Sequence, residues 1–169
     1  NFRRSTTKNS VNIMSASRRL ALVTGGNKGI GYAICKQLLQ SQKFNVLLAT
    51  RNLDNGKSAL EKLKKDIPDL DQSSVDLLQL DTSNPDVIKS SVDYLTNEKN
   101  INTLDVLVNN AGVASDDIFH KKEVERVFKT NFYGVVNTTD AYLPLLQQST
   151  DGARILMMSS RVGAISKLG

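Results

Sequence analysis

The sequence predicts an α/β fold in which a parallel sheet is doubly wound, with helices on both of its faces. Five short apolar runs alternate with segments that have helical spacing. The runs are continuously apolar, as is typical of strands that are buried on both faces. The first run leads through a glycine-rich turn directly into a helical segment. Alternating strands and helices of this kind form parallel sheets with right-handed crossovers.

The predicted elements follow one another at short intervals. Strands are expected at 20–23, 45–50, 75–80, 104–108 and 153–158. Helices are expected at 32–40, 53–67, 84–95 and 121–146. Asn84 and Pro85 are a typical helix start, with a capping amide before a first-turn proline. Pro144 is expected to bend or break the long last helix. Together these elements predict a Rossmann-type sheet in residues 20–169.

Length and composition indicate one ordinary globular domain. The chain has 169 residues, of which 40% are hydrophobic and 23% charged. No apolar run has the length of a membrane-spanning helix, and no signal-peptide core is visible. The single cysteine, Cys35, cannot form an internal disulfide and is expected to be a buried thiol in the first helix. A reducing, cytoplasmic location fits this cysteine content.

The net charge of +5 comes from the N-terminal segment. Residues 1–19 hold five basic and no acidic residues, so the rest of the chain has 17 of the 22 basic residues against 17 acidic ones. This balance gives no electrostatic argument for nucleic-acid binding. Residues 1–19 are predicted to be a disordered basic leader. One hypothesis is that they form a mitochondrial-type targeting segment, and the alternative is that Met14 is the start and residues 1–13 are an upstream extension.

A glycine-rich turn at 24–31 is the strongest indication of a ligand. Its sequence is Thr-Gly-Gly-Asn-Lys-Gly-Ile-Gly, and it joins the first strand to the first helix. Such a turn directs backbone N–H groups and the positive end of a helix dipole at a phosphate. Glycine allows the close approach because a Cβ would hold the phosphate away from the backbone. By spacing alone, a tight turn without a ligand remains an alternative.

Two cations near this turn favour NADP(H) over NAD(H). Arg51 comes just past the second strand, where an acidic residue normally binds the ribose hydroxyls of NAD. A guanidinium can bind a 2′-phosphate through two parallel hydrogen bonds. Lys28, inside the glycine turn, adds a second positive charge. The alternative is that both side chains are merely solvated surface residues.

The string Thr-Gly-x-x-x-Gly-Ile-Gly resembles the cofactor fingerprint of the short-chain dehydrogenase/reductase family, and its full wording is most similar to the carbonyl reductases. The Asn-Asn-Ala-Gly string at 109–112 is similar to the second marker of the family. The resemblance implies that NADPH delivers hydride to a ketone or aldehyde of a small-molecule substrate. It implies no metal, nucleic-acid or membrane partner, and it leaves open whether the protein is a monomer or a homo-oligomer.

The resemblance also implies roles for individual residues. Ser160, the second serine after the fifth strand, matches the catalytic serine that binds the substrate oxygen. Asn131 matches the position that holds a water through which protons are relayed. Asp81, expected to accept a hydrogen bond from adenine, could by sequence alone equally be a turn cap. The implied cofactor contacts are Gly25, Asn27, Lys28, Gly29, Ile30, Gly31, Arg51, Asp81, Thr82, Asn109, Ala111 and Gly112.

One part of the family pattern is missing from the sequence. The general acid of the family is a tyrosine followed four residues later by a lysine, and none follows Ser160 within the 169 residues. Tyr32 and Lys36 have that spacing but lie in the helix after the glycine turn. The sheet is therefore expected to be incomplete at its C-terminal end.

Two hypotheses follow for the function. The first is the N-terminal part of an NADPH-dependent carbonyl reductase, inactive by itself. The second is a short, non-catalytic module that binds NADP or a protein partner.

Overall fold

A computed structural model describes residues 18–115 and 120–160. All five predicted strands are present, and helices alternate with them. The strands are β1 (Arg19–Thr24), β2 (Phe44–Thr50), β3 (Val75–Gln79), β4 (Val106–Asn109) and β5 (Arg154–Met157). The helices are α1 (Gly29–Gln40), α2 (Leu53–Asp66), α3 (Pro85–Asp93), α4 (Lys121–Phe128) and α5 (Gly134–Leu146). None of the helices in these two ranges is long and apolar enough to cross a membrane.

The five strands form one sheet in the order β3-β2-β1-β4-β5, and all four pairings are parallel. The predicted doubly wound α/β sheet is therefore confirmed. Val23 of β1 lies opposite Leu48 of β2 and Val108 of β4. In chain order, β2 and β3 lie on one side of β1, and β4 and β5 then lie on its other side. Because the direction reverses there, the carboxyl ends of β1 and β4 flank a crevice.

Side chains that alternate along the strands fill a core on each face of the sheet. Leu22 and Leu47 point to one face, which α3 and α5 cover through Ile88 and Tyr142. The second face is covered by α1 and α2, whose Cys35 and Leu63 pack against strand residues such as Val46 and Leu48. This two-sided burial explains why the strands are continuously apolar.

The segment 121–146 differs from the single helix that was predicted. It consists of α4, a π-helical turn at Lys129–Tyr133, and α5. Of the bend or break predicted at Pro144, the break was wrong, because α5 continues through this residue to Leu146. Pro144 lies in the last turn of α5, where its missing N–H removes only the one hydrogen bond that this residue would donate to the carbonyl oxygen of Asp140. The irregularity lies instead at the π-helical turn, and such turns are frequent at functional sites.

The N-terminal boundary of the folded part also differs from the prediction. Arg18 and Arg19 were assigned to the basic leader, but Arg19 is the first residue of β1. Arg18 Nη1 forms an ion pair of 2.8 Å with Asp71 Oδ2. The remainder of the predicted leader, residues 1–17, lies outside the described residues.

We expect Leu47→Ala to destabilise the fold strongly, because Leu47 is only 1% exposed in the centre of the core. The lost burial and the cavity together should lower the free energy of unfolding by about 2–5 kcal/mol. Urea unfolding followed by circular dichroism measures this change. Leu143→Ala is the matched control, since Leu143 is 40% exposed on α5. Equal losses in the two variants would contradict the core assignment.

Candidate cofactor-binding site

A groove of about 400 Å³ lies at the carboxyl ends of the strands. It is built by the segments that follow β1, β2, β3 and β4, together with one residue of the π-helical turn. Ligands of doubly wound sheets bind in this crevice. The groove is lined by Gly25, Asn27, Lys28, Gly29, Ile30, Gly31, Thr50, Arg51, Leu80, Asp81, Thr82, Asn110, Ala111, Gly112, Val113 and Thr130.

The glycine turn brings the start of α1 into the groove. Gly25 has φ +65°, in the left-handed region that favours glycine. At Gly31, a Cβ would overlap the carbonyl oxygen of Gly25 and lie 2.5 Å from Asn110 Nδ2. No side chain caps the N-terminus of α1, and its first turn holds no acidic residue. Its N–H groups and helix dipole therefore suit an anion such as a diphosphate.

The Thr24 hydroxyl connects the two strand ends that form the floor of the groove. It donates a hydrogen bond of 3.2 Å to the carbonyl oxygen of Val108. It accepts hydrogen bonds of 2.9 Å each from the backbone N–H groups of Asn110 and Ala111. Thr24 itself is buried at the end of β1. One hydroxyl thus positions the glycine turn against the loop after β4.

The Asn110 side chain adds a second connection between the same loops. Its Nδ2 donates to the carbonyl oxygen of Thr24 at 2.9 Å and to that of Gly25 at 3.4 Å. The sequence places Thr24 and Asn110 in the two motifs at the strand ends, but no contact was predicted for either residue. Each follows the apolar part of one of two strands that pair directly, so the parallel topology was the signal that could have found them.

The two predicted cations both line the groove. Lys28 belongs to the glycine turn, and Arg51 follows the last residue of β2. Both residues are exposed. The nearest acidic residue along the chain after Arg51 is Asp54, which pairs with Lys57 at 3.2 Å on α2. The lining of the groove thus includes two cations that can bind a phosphate.

The Asp81 side chain caps the turn after β3, which is one of the two roles that the sequence left open for it. Its Oδ1 accepts hydrogen bonds from the Ser83 N–H at 3.0 Å and from the Ser83 hydroxyl at 2.7 Å. Asp81 also lines the groove, next to the buried Thr82. The turn orders the segment after β3, and the adenine contact of Asp81 stays a prediction.

Three predicted site residues lie outside the lining of the groove. Asn109 is buried, and its Nδ2 donates to the Thr139 hydroxyl at 3.0 Å, which joins β4 to α5. Asn131 lies in the π-helical turn and forms two hydrogen bonds with the backbone of Val113, at 2.9 and 2.8 Å. Ser160 is exposed beyond the end of β5. Asn109 therefore attaches the end of β4 to α5, and Asn131 attaches the loop after β4 to the π-helical turn.

Tyr32 and Lys36, which have the spacing of the catalytic pair, form a contact between α1 and α2. The Tyr32 hydroxyl donates to Asp66 Oδ2 at 3.0 Å, and Lys36 Nζ donates to the same oxygen at 3.1 Å. Burial and the Asp66 carboxylate raise the pKa of Tyr32 to about 12. A general acid needs the opposite shift, so this pair is structural.

We expect Thr24→Val to weaken both the fold and dinucleotide binding, because it leaves two backbone N–H groups without their acceptor. The free energy of unfolding should fall by about 1–3 kcal/mol. Thr24→Ser keeps the hydroxyl and should resemble the wild type. Urea unfolding and NADPH fluorescence titration measure the two effects. A serine variant as defective as the valine variant would show that the methyl group matters instead.

Comparisons with known proteins agree with this geometry. Residues 19–168 match the family described as short chain dehydrogenase. Mouse carbonyl reductase [NADPH] 1 is 40% identical over 152 residues, which cover 88% of this chain and 51% of the relative. Short-chain dehydrogenase/reductase 1 of Saponaria officinalis is 35% identical over 176 residues, which cover 90% of this chain and 56% of the relative. The chain thus spans about half the length of these curated relatives.

Solved structures give the same result. Menthone neomenthol reductase from Mentha piperita superimposes with a TM-score of 0.77 at 32% identity, over 88% of this chain and 62% of that one. NADPH-bound carbonyl reductase from chicken fatty liver superimposes with a TM-score of 0.75 at 26% identity, over 89% and 63% of the two chains. This chain belongs to the short-chain dehydrogenase/reductase family of oxidoreductases.

Proposed function

We propose that this chain is the cofactor-binding part of an NADPH-dependent carbonyl reductase. The observation that carries the proposal is the groove in which the uncapped start of α1 lies beside Lys28 and Arg51. Diphosphate and 2′-phosphate are the two anions that such an arrangement suits. The similarity to mouse carbonyl reductase [NADPH] 1 supports the same cofactor and substrate class. A reducing, cytoplasmic setting is part of the proposal, in keeping with the buried thiol of Cys35.

The residues of the groove fit this cofactor. The backbone N–H groups from Gly25 to Gly31 would hold the diphosphate, and the lack of a Cβ at Gly25 and Gly31 lets the turn pack closely against Asn110. Arg51 and Lys28 would bind the 2′-phosphate, while Asp81 and Thr82 would contact the adenine. Ala111 and Gly112 would lie along the nicotinamide side. When bound, the cofactor supplies the hydride.

The remaining steps belong to residues near the carboxyl ends of β4 and β5. Ser160 would hydrogen-bond the substrate oxygen, where negative charge develops during reduction. Asn131 holds the loop that carries Gly112 and Val113, since its amide bonds both backbone groups of Val113. Its proposed part in proton relay rests on the family resemblance. The substrate oxygen also needs a proton donor, which the family's Tyr-x-x-x-Lys pair provides.

We expect the chain to bind NADPH more tightly than NADH and Arg51→Ala to remove most of that preference. A charge-assisted contact with the 2′-phosphate is worth about 1.5–3 kcal/mol, or roughly ten- to a hundred-fold in affinity. Fluorescence titration with both cofactors measures the ratio of dissociation constants. Arg51→Lys keeps the charge without the two parallel bonds and should retain part of the preference. Equal wild-type affinities for the two cofactors would refute the cofactor assignment.

We expect residues 1–169 alone to bind NADPH without reducing a reactive dione. A positioned general acid contributes about 10²–10⁴-fold, and the family's acid is not present after Ser160. NADPH oxidation should be compared with that of a longer version, extended along the coding sequence through the next Tyr-x-x-x-Lys. Ser160→Ala in the longer version should lose most of the activity. Comparable turnover by the two lengths would contradict the assigned proton donor and favour another one within residues 1–169.

A further inference from the structure

The first turn of α2 follows closely after Arg51, one of the two cations that line the groove. Arg51 lines the groove, and Asn52 caps the helix that begins at Leu53. The cap is a hydrogen bond of 3.0 Å from the Asn55 N–H to Asn52 Oδ1. The position of this turn therefore determines where the backbone of Arg51 lies.

Gly56, in the same turn, is where α2 lies very close to the sheet. It is buried, and a Cβ on it would overlap Leu77 Cδ1. The same Cβ would lie 2.8 Å from Thr50 Cγ2 and 3.0 Å from Leu77 Cδ2. Leu77 belongs to β3, and Thr50 is the last residue of β2. A side chain at position 56 would therefore push the first turn of α2 away from these strands unless Leu77 moved.

Such a shift would change the position of Arg51, because the residue before it is bonded to the sheet and the residue after it is bonded to α2. Thr50 is fixed in the sheet, where its carbonyl oxygen accepts a hydrogen bond of 2.9 Å from the Leu80 N–H. Asn52 moves with α2, since its carbonyl oxygen accepts a hydrogen bond of 3.1 Å from the Gly56 N–H. Arg51 is the one residue between them. Two longer hydrogen bonds of 3.4 Å join the backbone of Asn52 to the Thr50 hydroxyl, so Arg51 and these two bonds together absorb the displacement.

We infer that Gly56 is a positioning residue that determines the preference for a dinucleotide carrying a 2′-phosphate. Because it has no side chain, α2 can lie close to the sheet, and this close packing keeps Arg51 in position. The inference rests on the cofactor in the proposed function. NADH has no 2′-phosphate, so a displaced Arg51 costs affinity for NADPH alone. A glycine with a purely structural role would instead affect both cofactors, or only the stability.

The test is a fluorescence titration of the purified chain with NADPH and with NADH. For Gly56→Ala we expect the dissociation constant of NADPH to rise about tenfold, the lower end of the range for a charge-assisted contact, with that of NADH unchanged. Leu77→Ala removes two of the three close atoms. Combined with Gly56→Ala, it should restore most of the NADPH affinity. Ser58→Ala, on the exposed side of α2, is the matched control and should bind as the wild type does.

Alanine favours helix more than glycine does, which offsets part of the overpacking at position 56, and urea unfolding of each variant shows that the fold persists. Asn52→Ala provides a second route, since it removes the cap of the same turn without adding bulk. It too should weaken NADPH binding selectively.

A wild type without preference for NADPH would overturn both the proposed cofactor and this inference. A selective wild type would retain the proposed cofactor. The inference alone would then be overturned if Gly56→Ala or Asn52→Ala stayed as selective, or if Leu77→Ala failed to rescue Gly56→Ala.

Discussion

The candidate site depends on the buried hydroxyl of Thr24, which holds the ends of β1 and β4 together. Beyond Val23 and Val108 the two strands no longer pair, and each chain turns away into its own loop. Three hydrogen bonds to one oxygen keep the loops in register at this point. Because the oxygen is buried, water cannot replace these bonds without opening the sheet. The glycine turn and the loop after β4 therefore form one rigid surface.

The walls of the groove are similarly held from outside by side chains of the helical segment after β4. Asn131 bonds both backbone groups of Val113, and Arg126 Nη2 donates to the carbonyl oxygen of Ala114 at 2.9 Å. At Gly134, a Cβ would lie 2.7 Å from the carbonyl oxygen of Thr82. The π-helical turn and the residues that flank it thus contact two segments of the groove, the loop after β4 and the segment after β3.

The sequence predicts the sheet and the groove well, because both follow from local patterns. Continuous apolar runs located every strand, and the ends of those strands contain most of the groove lining. The role of Thr24 and Asn110 was not predicted, because it comes from a pairing between residues more than eighty positions apart. The π-helical turn was missed because its spacing resembles that of a regular helix. Asn109 was placed in the groove, but alternation along β4 turns its side chain toward Thr139 instead.

The cluster of Tyr32, Lys36 and Asp66 has a consequence for the ionisation state of the phenol. With a pKa raised to about 12, the Tyr32 phenol stays protonated at neutral pH. The lysine cannot reverse this, because the carboxylate of Asp66 lies between the two side chains and bonds both of them. A tyrosine and a lysine at this spacing can therefore be either a structural pair whose phenol stays protonated or a catalytic pair whose phenol donates its proton. In this chain, burial and the Asp66 carboxylate on the neighbouring helix α2 keep the proton on the phenol.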